Sequence, residues 1–129
     1  MMAPMLENPR ILVVDDEADV REAVASLLET FLDGARVRQA ASGQAGLVAL
    51  NEEAADLIVT DFKMPGMNGA QFLTEAAKIA PGTPHILVTA FDREAVESLG
   101  AQAAVRIVHK PFEPDLLLGL VQDVLATHA

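Results

Sequence analysis

The sequence predicts an α/β fold: one doubly wound domain, a parallel sheet covered by helices on both faces. Three observations carry that expectation. Strand-like and helix-like stretches alternate about five times along 129 residues, a length that suits one domain. The runs ILVV (11–14), DLIVT (56–60) and HILV (85–88) are almost wholly apolar, the pattern of strands buried on both sides. Each such run, and AVRIVH (104–109) after them, leads into a polar residue: Asp15-Asp16, Asp61, Thr89 and Lys110. Open parallel sheets bind their ligands just beyond the carboxyl ends of the strands.

Taken in order, residues 1–9 are an N-terminal tail and the domain spans 10–127. ILVV is the first strand. From Asp16 a helix follows, with Val20, Ala23, Val24, Leu27, Leu28 and Phe31 on one stripe and Asp33-Gly34 closing it. ARVRQA (35–40) alternates weakly and suits an edge strand. Ser42 caps a helix over 43–52, whose apolar positions are Leu47, Val48 and Leu50. After DLIVT, the loop MPGMNG (64–69) leads to a helix over 69–79 that stops at Pro81-Gly82. Asp92 caps a short helix after HILVT that ends at Gly100. Pro114 opens the last helix, with Leu117, Leu120, Val121, Val124 and Leu125 facing inward. No output domain is expected after it.

Composition narrows the chemistry. Cysteine is absent, which excludes disulfides, thiolate catalysis and zinc–thiolate sites. The formal net charge is −10, without the basic patch that nucleic-acid binding leaves, so no direct nucleic-acid binding is expected. No apolar run approaches the roughly 18 residues of a membrane span, and the N-terminus lacks the pattern of a secretory leader. A cytoplasmic location is the expectation.

The strand-end residues suggest a site. Two carboxylates about 4 Å apart at an effective dielectric near 20 repel by roughly 4 kcal/mol. If Asp15, Asp16 and Asp61 converge, they need a cation or raised pKa values. Magnesium fits, because it takes oxygen ligands and is typically held by one or two carboxylates with phosphate and water. Asp16 has a second reading, as the N-cap of the first helix. The Thr89 hydroxyl can donate to a phosphoryl oxygen and the Lys110 ammonium can supply charge. The Lys110–Pro111 bond is open to either isomer from sequence.

The motifs VVDDE (13–17), TDFKMPGMNG (60–69), VTAF (88–91) and HKPFEP (109–114), in this order and at these separations, resemble the CheY-like receiver domain of two-component response regulators. The resemblance covers nearly the whole chain. It implies a flavodoxin-like (βα)5 fold with strand order 2-1-3-4-5, in which Thr89 lies one strand from Asp61 and Lys110 two. It also implies that Asp61 accepts a phosphoryl group from a sensor histidine kinase or histidine phosphotransfer protein. Asp15, Asp16 and Asp61, with the backbone carbonyl of Lys63, would hold Mg²⁺. Thr89, Lys110 and the backbone N–H of Ala90 would bind the phosphoryl oxygens. Such a domain is not a turnover enzyme, although it catalyses its own phosphorylation and slow dephosphorylation.

The same resemblance places kinase docking near Glu17, Ala18, Pro111 and Phe112. It places output to an unknown downstream partner around Arg93, Val96, Arg106 and Glu113. One position departs from a common family pattern: Ile107 stands where an aromatic switch residue is frequent, and its expected role is core packing. Phe91 either shields an acyl phosphate from water or is plain loop surface. The alternative function is a Mg²⁺-dependent aspartyl-phosphate phosphatase, but Asp61-Phe62-Lys63 lacks the second acid or base such an enzyme wants. A flavin module would want a hydroxyl- and Gly-rich loop where this chain has Asp15-Asp16-Glu17.

Overall fold

Five parallel strands form a single sheet in the computed structural model, which describes residues 8–90 and 105–127. The strands are β1 (Arg10–Val14), β2 (Arg36–Ala40), β3 (Leu57–Asp61), β4 (His85–Ala90) and β5 (Val105–Lys110), in the order β2-β1-β3-β4-β5. The described helices are α1 (Ala18–Phe31), α2 (Gly43–Glu52), α3 (Gly69–Ile79) and α4 (Pro114–Thr127). The doubly wound architecture and the strand order are those expected. The helix expected over 92–100, with Phe91, Arg93 and Val96, lies outside the described residues.

Alternation along the strands builds two cores, one on each face. Ile11 and Val13 face α1 and α4, packing with Leu28, Val59, Ile86, Leu117 and Val121. Leu12 and Val14 face α2 and α3, packing with Ile58, Phe72, Leu73 and Leu87. A strand buried on both sides must be apolar at every position, which is why β1 and β3 read as continuous runs. Each large aliphatic side chain so buried contributes about 1.5–3 kcal/mol. Strand β2 is half-exposed, as an edge should be. Its Arg38 turns back to the end of α2 and donates to the carbonyl oxygens of Ala49 (2.8 Å), which also accepts the Glu53 N–H, and of Glu53 (2.7 Å). Ile107 is half-buried against the Leu12–Leu87 cluster, the packing role expected of it.

Helix termini follow their side chains. The Ser42 side chain accepts the Ala45 N–H at 3.0 Å and starts α2. Asn68 and Gln71 close a reciprocal capping box on α3. The first helix departs from expectation: it begins at Ala18, and Glu17, not Asp16, occupies the N-cap without a side-chain cap bond. The reason is local. An Asp15 carboxylate oxygen accepts the Glu17 N–H at 2.9 Å and keeps the chain extended through that residue. Ala23 and Phe31 on the α1 stripe, and Val48 on α2, also turn out exposed. Among the described residues no helix is long and apolar enough to cross a membrane.

Candidate functional site

The topology reverses between β1 and β3: the chain leaves β1 for β2 on one side and returns to β3 on the other. A crevice opens above the carboxyl ends at that switch point. Asp15 follows β1 directly, Asp61 is the last residue of β3, and Lys110 is the last residue of β5. Asp15 and Asp61 are buried, whereas Asp16 is exposed at the rim. Each of the three carboxylates offers one oxygen, and these oxygens lie within 4.8 Å of one another. Lys110 Nζ reaches in from two strands away, 3.4 Å from Asp61 Oδ1 and 3.8 Å from Asp15 Oδ2.

Backbone packing sets these positions. Gly69 opens α3 directly against β3. A Cβ there would fall 2.5 Å from the carbonyl oxygen of Asp61 and 2.9 Å from Phe62 Cα. The Gly69 N–H donates to the Phe62 carbonyl at 2.7 Å, so the glycine lets the helix close onto the strand end that carries Asp61. At the far side the Lys110–Pro111 peptide bond is cis.

The electrostatics are those of a crowded carboxylate site. Burial, then the neighbouring Asp15 charge, pushes Asp61 up to about 6, against the opposing pull of Lys110 and the Phe62 N–H. Burial also raises Asp15, opposed by the Glu17 N–H and Lys110. One lysine does not balance three carboxylates. The donor set is all oxygen, with no imidazole or thiolate, so it fits a hard divalent cation.

The sequence-predicted residues are not all equally engaged. Asp15, Asp16, Asp61 and Lys110 meet. Thr89 is buried one strand from Asp61, with its hydroxyl donating to the Ala90 carbonyl at 2.7 Å. Ala90 ends β4 in register with Lys110, and Lys63 is exposed on the loop two residues past Asp61. The sequence reading missed Arg21, which donates to the Asp15 carbonyl at 2.9 Å. An arginine one turn into a helix carries no motif that would have marked it.

The model of the response regulator receiver domain family matches residues 11–122. FleR, a response regulator of Pseudomonas aeruginosa, is 38% identical over 93% of this chain and 24% of its own length. PilH of the same organism is 32% identical, over 91% of this chain and 98% of PilH. The chain spans about a quarter of the length of several curated relatives, FleR and the Escherichia coli regulator GlrR among them. A CheY-like receiver domain protein from Methanospirillum hungatei shares the fold at a TM-score of 0.84 and 30% identity, covering 93% of this chain and 95% of that one. By motif, fold and relatives alike, the chain belongs to the response regulator receiver domain family of two-component signalling.

Proposed function

We propose that this receiver, spanning residues 10–127, accepts a phosphoryl group on Asp61 from a phosphohistidine and thereby switches partner binding. The observation that supports this reading best is the placement of Asp61. It is buried at the floor of the crevice, held 3.4 Å from an ammonium and beside two further carboxylates. With a pKa of about 6 it is ionised at neutral pH and more basic than an ordinary aspartate, as suits a nucleophile. The Phe62 N–H donates to its Oδ1 at 2.9 Å, the oxygen that also faces Lys110. Oδ2 is therefore the oxygen left to attack. It forms the new bond to phosphorus while the phosphorus–nitrogen bond of the donor breaks. The donor imidazole keeps the electron pair and takes a proton from water, leaving an acyl phosphate on Asp61.

Asp15, Asp16 and Asp61, with the Lys63 backbone carbonyl, would hold Mg²⁺, which when bound supplies positive charge beside the transferring group. Lys110 adds a second charge. Thr89 would turn its hydroxyl from the Ala90 carbonyl to a phosphoryl oxygen, and the Ala90 N–H would be a further donor. The product is a modified protein, so the chain acts by binding, with only its own phosphorylation and slow dephosphorylation as chemistry.

The partners we propose are a sensor histidine kinase or histidine phosphotransfer protein and a downstream protein or output domain, all meeting this domain in the cytoplasm. An apolar groove between α1 and the start of α4, lined by Val20, Ala23, Leu27, Phe31 and Phe112, supports docking beside the crevice. It also accounts for the exposure of Ala23 and Phe31. Intact-mass spectrometry after incubation with Mg²⁺ and acetyl phosphate tests the reading. One phosphoryl adduct is expected, prevented by EDTA and absent in Asp61→Asn. No adduct from either acetyl phosphate or a cognate kinase would sink it.

A further inference from the structure

The geometry points to Arg21 as a positioning residue for the cation site, acting through the peptide group that joins Asp15 to Asp16. The inference rests on the proposed Mg²⁺ reading of the crevice. Asp15 is committed on nearly every polar atom. Its N–H donates to the Ala40 carbonyl at 3.1 Å, and its Oδ1 accepts the Glu17 N–H at 2.9 Å. Its Oδ2 faces Lys110. Asp16 differs: its side chain is exposed, and no hydrogen bond or ion pair holds its carboxylate among the described residues. With no such contact to hold it, the space that carboxylate can reach is set by where its backbone roots the side chain.

The peptide preceding it is held from outside the loop. Arg21 Nη1 donates to the Asp15 carbonyl at 2.9 Å. The direction of that carbonyl ties together the backbone torsions on either side of it, ψ of Asp15 and φ of Asp16. The guanidinium is itself oriented, because Nε donates to Gln39 Oε1 at 3.1 Å from β2. The Arg21 N–H also closes the first turn of α1 on the Glu17 carbonyl at 2.9 Å. Helix, loop and edge strand thus converge on one carbonyl, and the unsupported carboxylate hangs from the next residue. Groups that orient ligands without touching the metal commonly set its affinity.

Two effects of removing Arg21 have opposite signs. Loss of a positive charge near a cation site tightens cation binding by simple electrostatics. Loss of positioning weakens it. The experiment is a titration of cation-free protein with Mg²⁺ alone, followed by backbone amide shifts of residues 15–17, for wild type, Arg21→Met, Arg21→Lys and Gln39→Leu. Arg21→Met should bind about tenfold more weakly. Arg21→Lys and Gln39→Leu, which each keep part of the clamp, should fall between it and wild type. At saturating Mg²⁺, adduct formation by Arg21→Met should recover to the wild-type maximum.

Binding by Arg21→Met as tight as wild type, or tighter, overturns the inference, as does a maximum that stays low at saturation. If Arg21→Met does not fold, Gln39→Leu decides alone, and unchanged affinity there counts as failure. Wild-type protein that shows no Mg²⁺-dependent shifts overturns the proposed function itself, a result distinct from the others.

Discussion

The two ends of β3 carry the same residue type in opposite electrostatic states. Asp56 immediately precedes the strand and Asp61 ends it. Burial pushes Asp56 up, but hydrogen bonds from Arg10 outweigh that and its pKa is lowered. Arg10 donates to it from the backbone N–H at 2.8 Å and from the guanidinium twice at 3.3 Å. Asp61 is raised to about 6 because burial and Asp15 outweigh Lys110. The amino end of the sheet is neutralised within the chain. The carboxyl end keeps an excess of negative charge inside a crevice. A fold has no stability reason to leave carboxylates so crowded, which is why the proposed function is placed at the unbalanced end.

The largest effect expected from breaking that contrast is at Lys110. Lys110→Met removes the ammonium that lies 3.4 Å from Asp61 and 3.8 Å from Asp15 and should slow phosphoryl-adduct formation about a hundredfold, measured at saturating Mg²⁺ with acetyl phosphate. A rate within threefold of wild type would mean that the lysine has no part in the transfer.

Next comes a titratable group at the quiet end. His85 starts β4 buried, its Nδ1 has no hydrogen-bond partner among the described residues, and burial lowers its pKa to about 4. The unfolded chain protonates this histidine near pH 6.5 while the folded protein keeps it neutral. Stability is therefore lost as the pH falls from about 6.5 through 4, by on the order of 2 kcal/mol. Urea unfolding across that range should show wild type losing stability relative to His85→Leu as the pH falls. Parallel profiles would show that His85 does not titrate between folded and unfolded states.

Asp61 has the opposite sign. Its folded pKa lies above the unfolded value of about 3.9, so its stabilising effect is present below pH 4 and is lost as the pH rises through 6. Asp61→Asn should therefore stabilise cation-free protein at pH 7 by about 1–2 kcal/mol, and that gain should vanish when Mg²⁺ stabilises the wild type. Equal stability of the two without cation would remove the electrostatic strain inferred at this end.

The smallest effect belongs to the paired end. Asp56→Asn should cost about 1 kcal/mol or less, since the Arg10 guanidinium is partly exposed and such pairs are screened by water. It should leave adduct formation unchanged. Loss of phosphorylation in that variant would show that the two ends are coupled rather than separate.

Much of the site was legible because chemistry at a strand end interrupts an apolar run. Asp15 and Asp61 each stand directly beyond buried β residues, where solvent exposure does not explain a charge, and Lys110 ends β5 two residues past buried Val108. Thr89 was legible in the same way, though its present bond to the Ala90 carbonyl was not. Arg21 was invisible, because a helical arginine is common and its partner is a backbone atom. The Arg10–Asp56 pair spans 46 positions, and no local pattern announces it.

The sequence by itself determined the order of the described elements, the two-faced burial of β1 and β3, and the polar residues at the carboxyl ends of β1, β3, β4 and β5. These follow from side-chain periodicity, which is a local property of the chain. Only the tertiary structure decided which charges face one another. It started α1 at Ala18 rather than Asp16, because the Asp15 carboxylate takes the Glu17 N–H. It fitted α3 against β3 through Gly69 and brought Lys110 within 3.4 Å of Asp61. Burial and Coulomb energy depend on distance in space, so no reading of spacing along the chain could assign Asp56, just before β3, a lowered pKa and Asp61, at its end, a raised one.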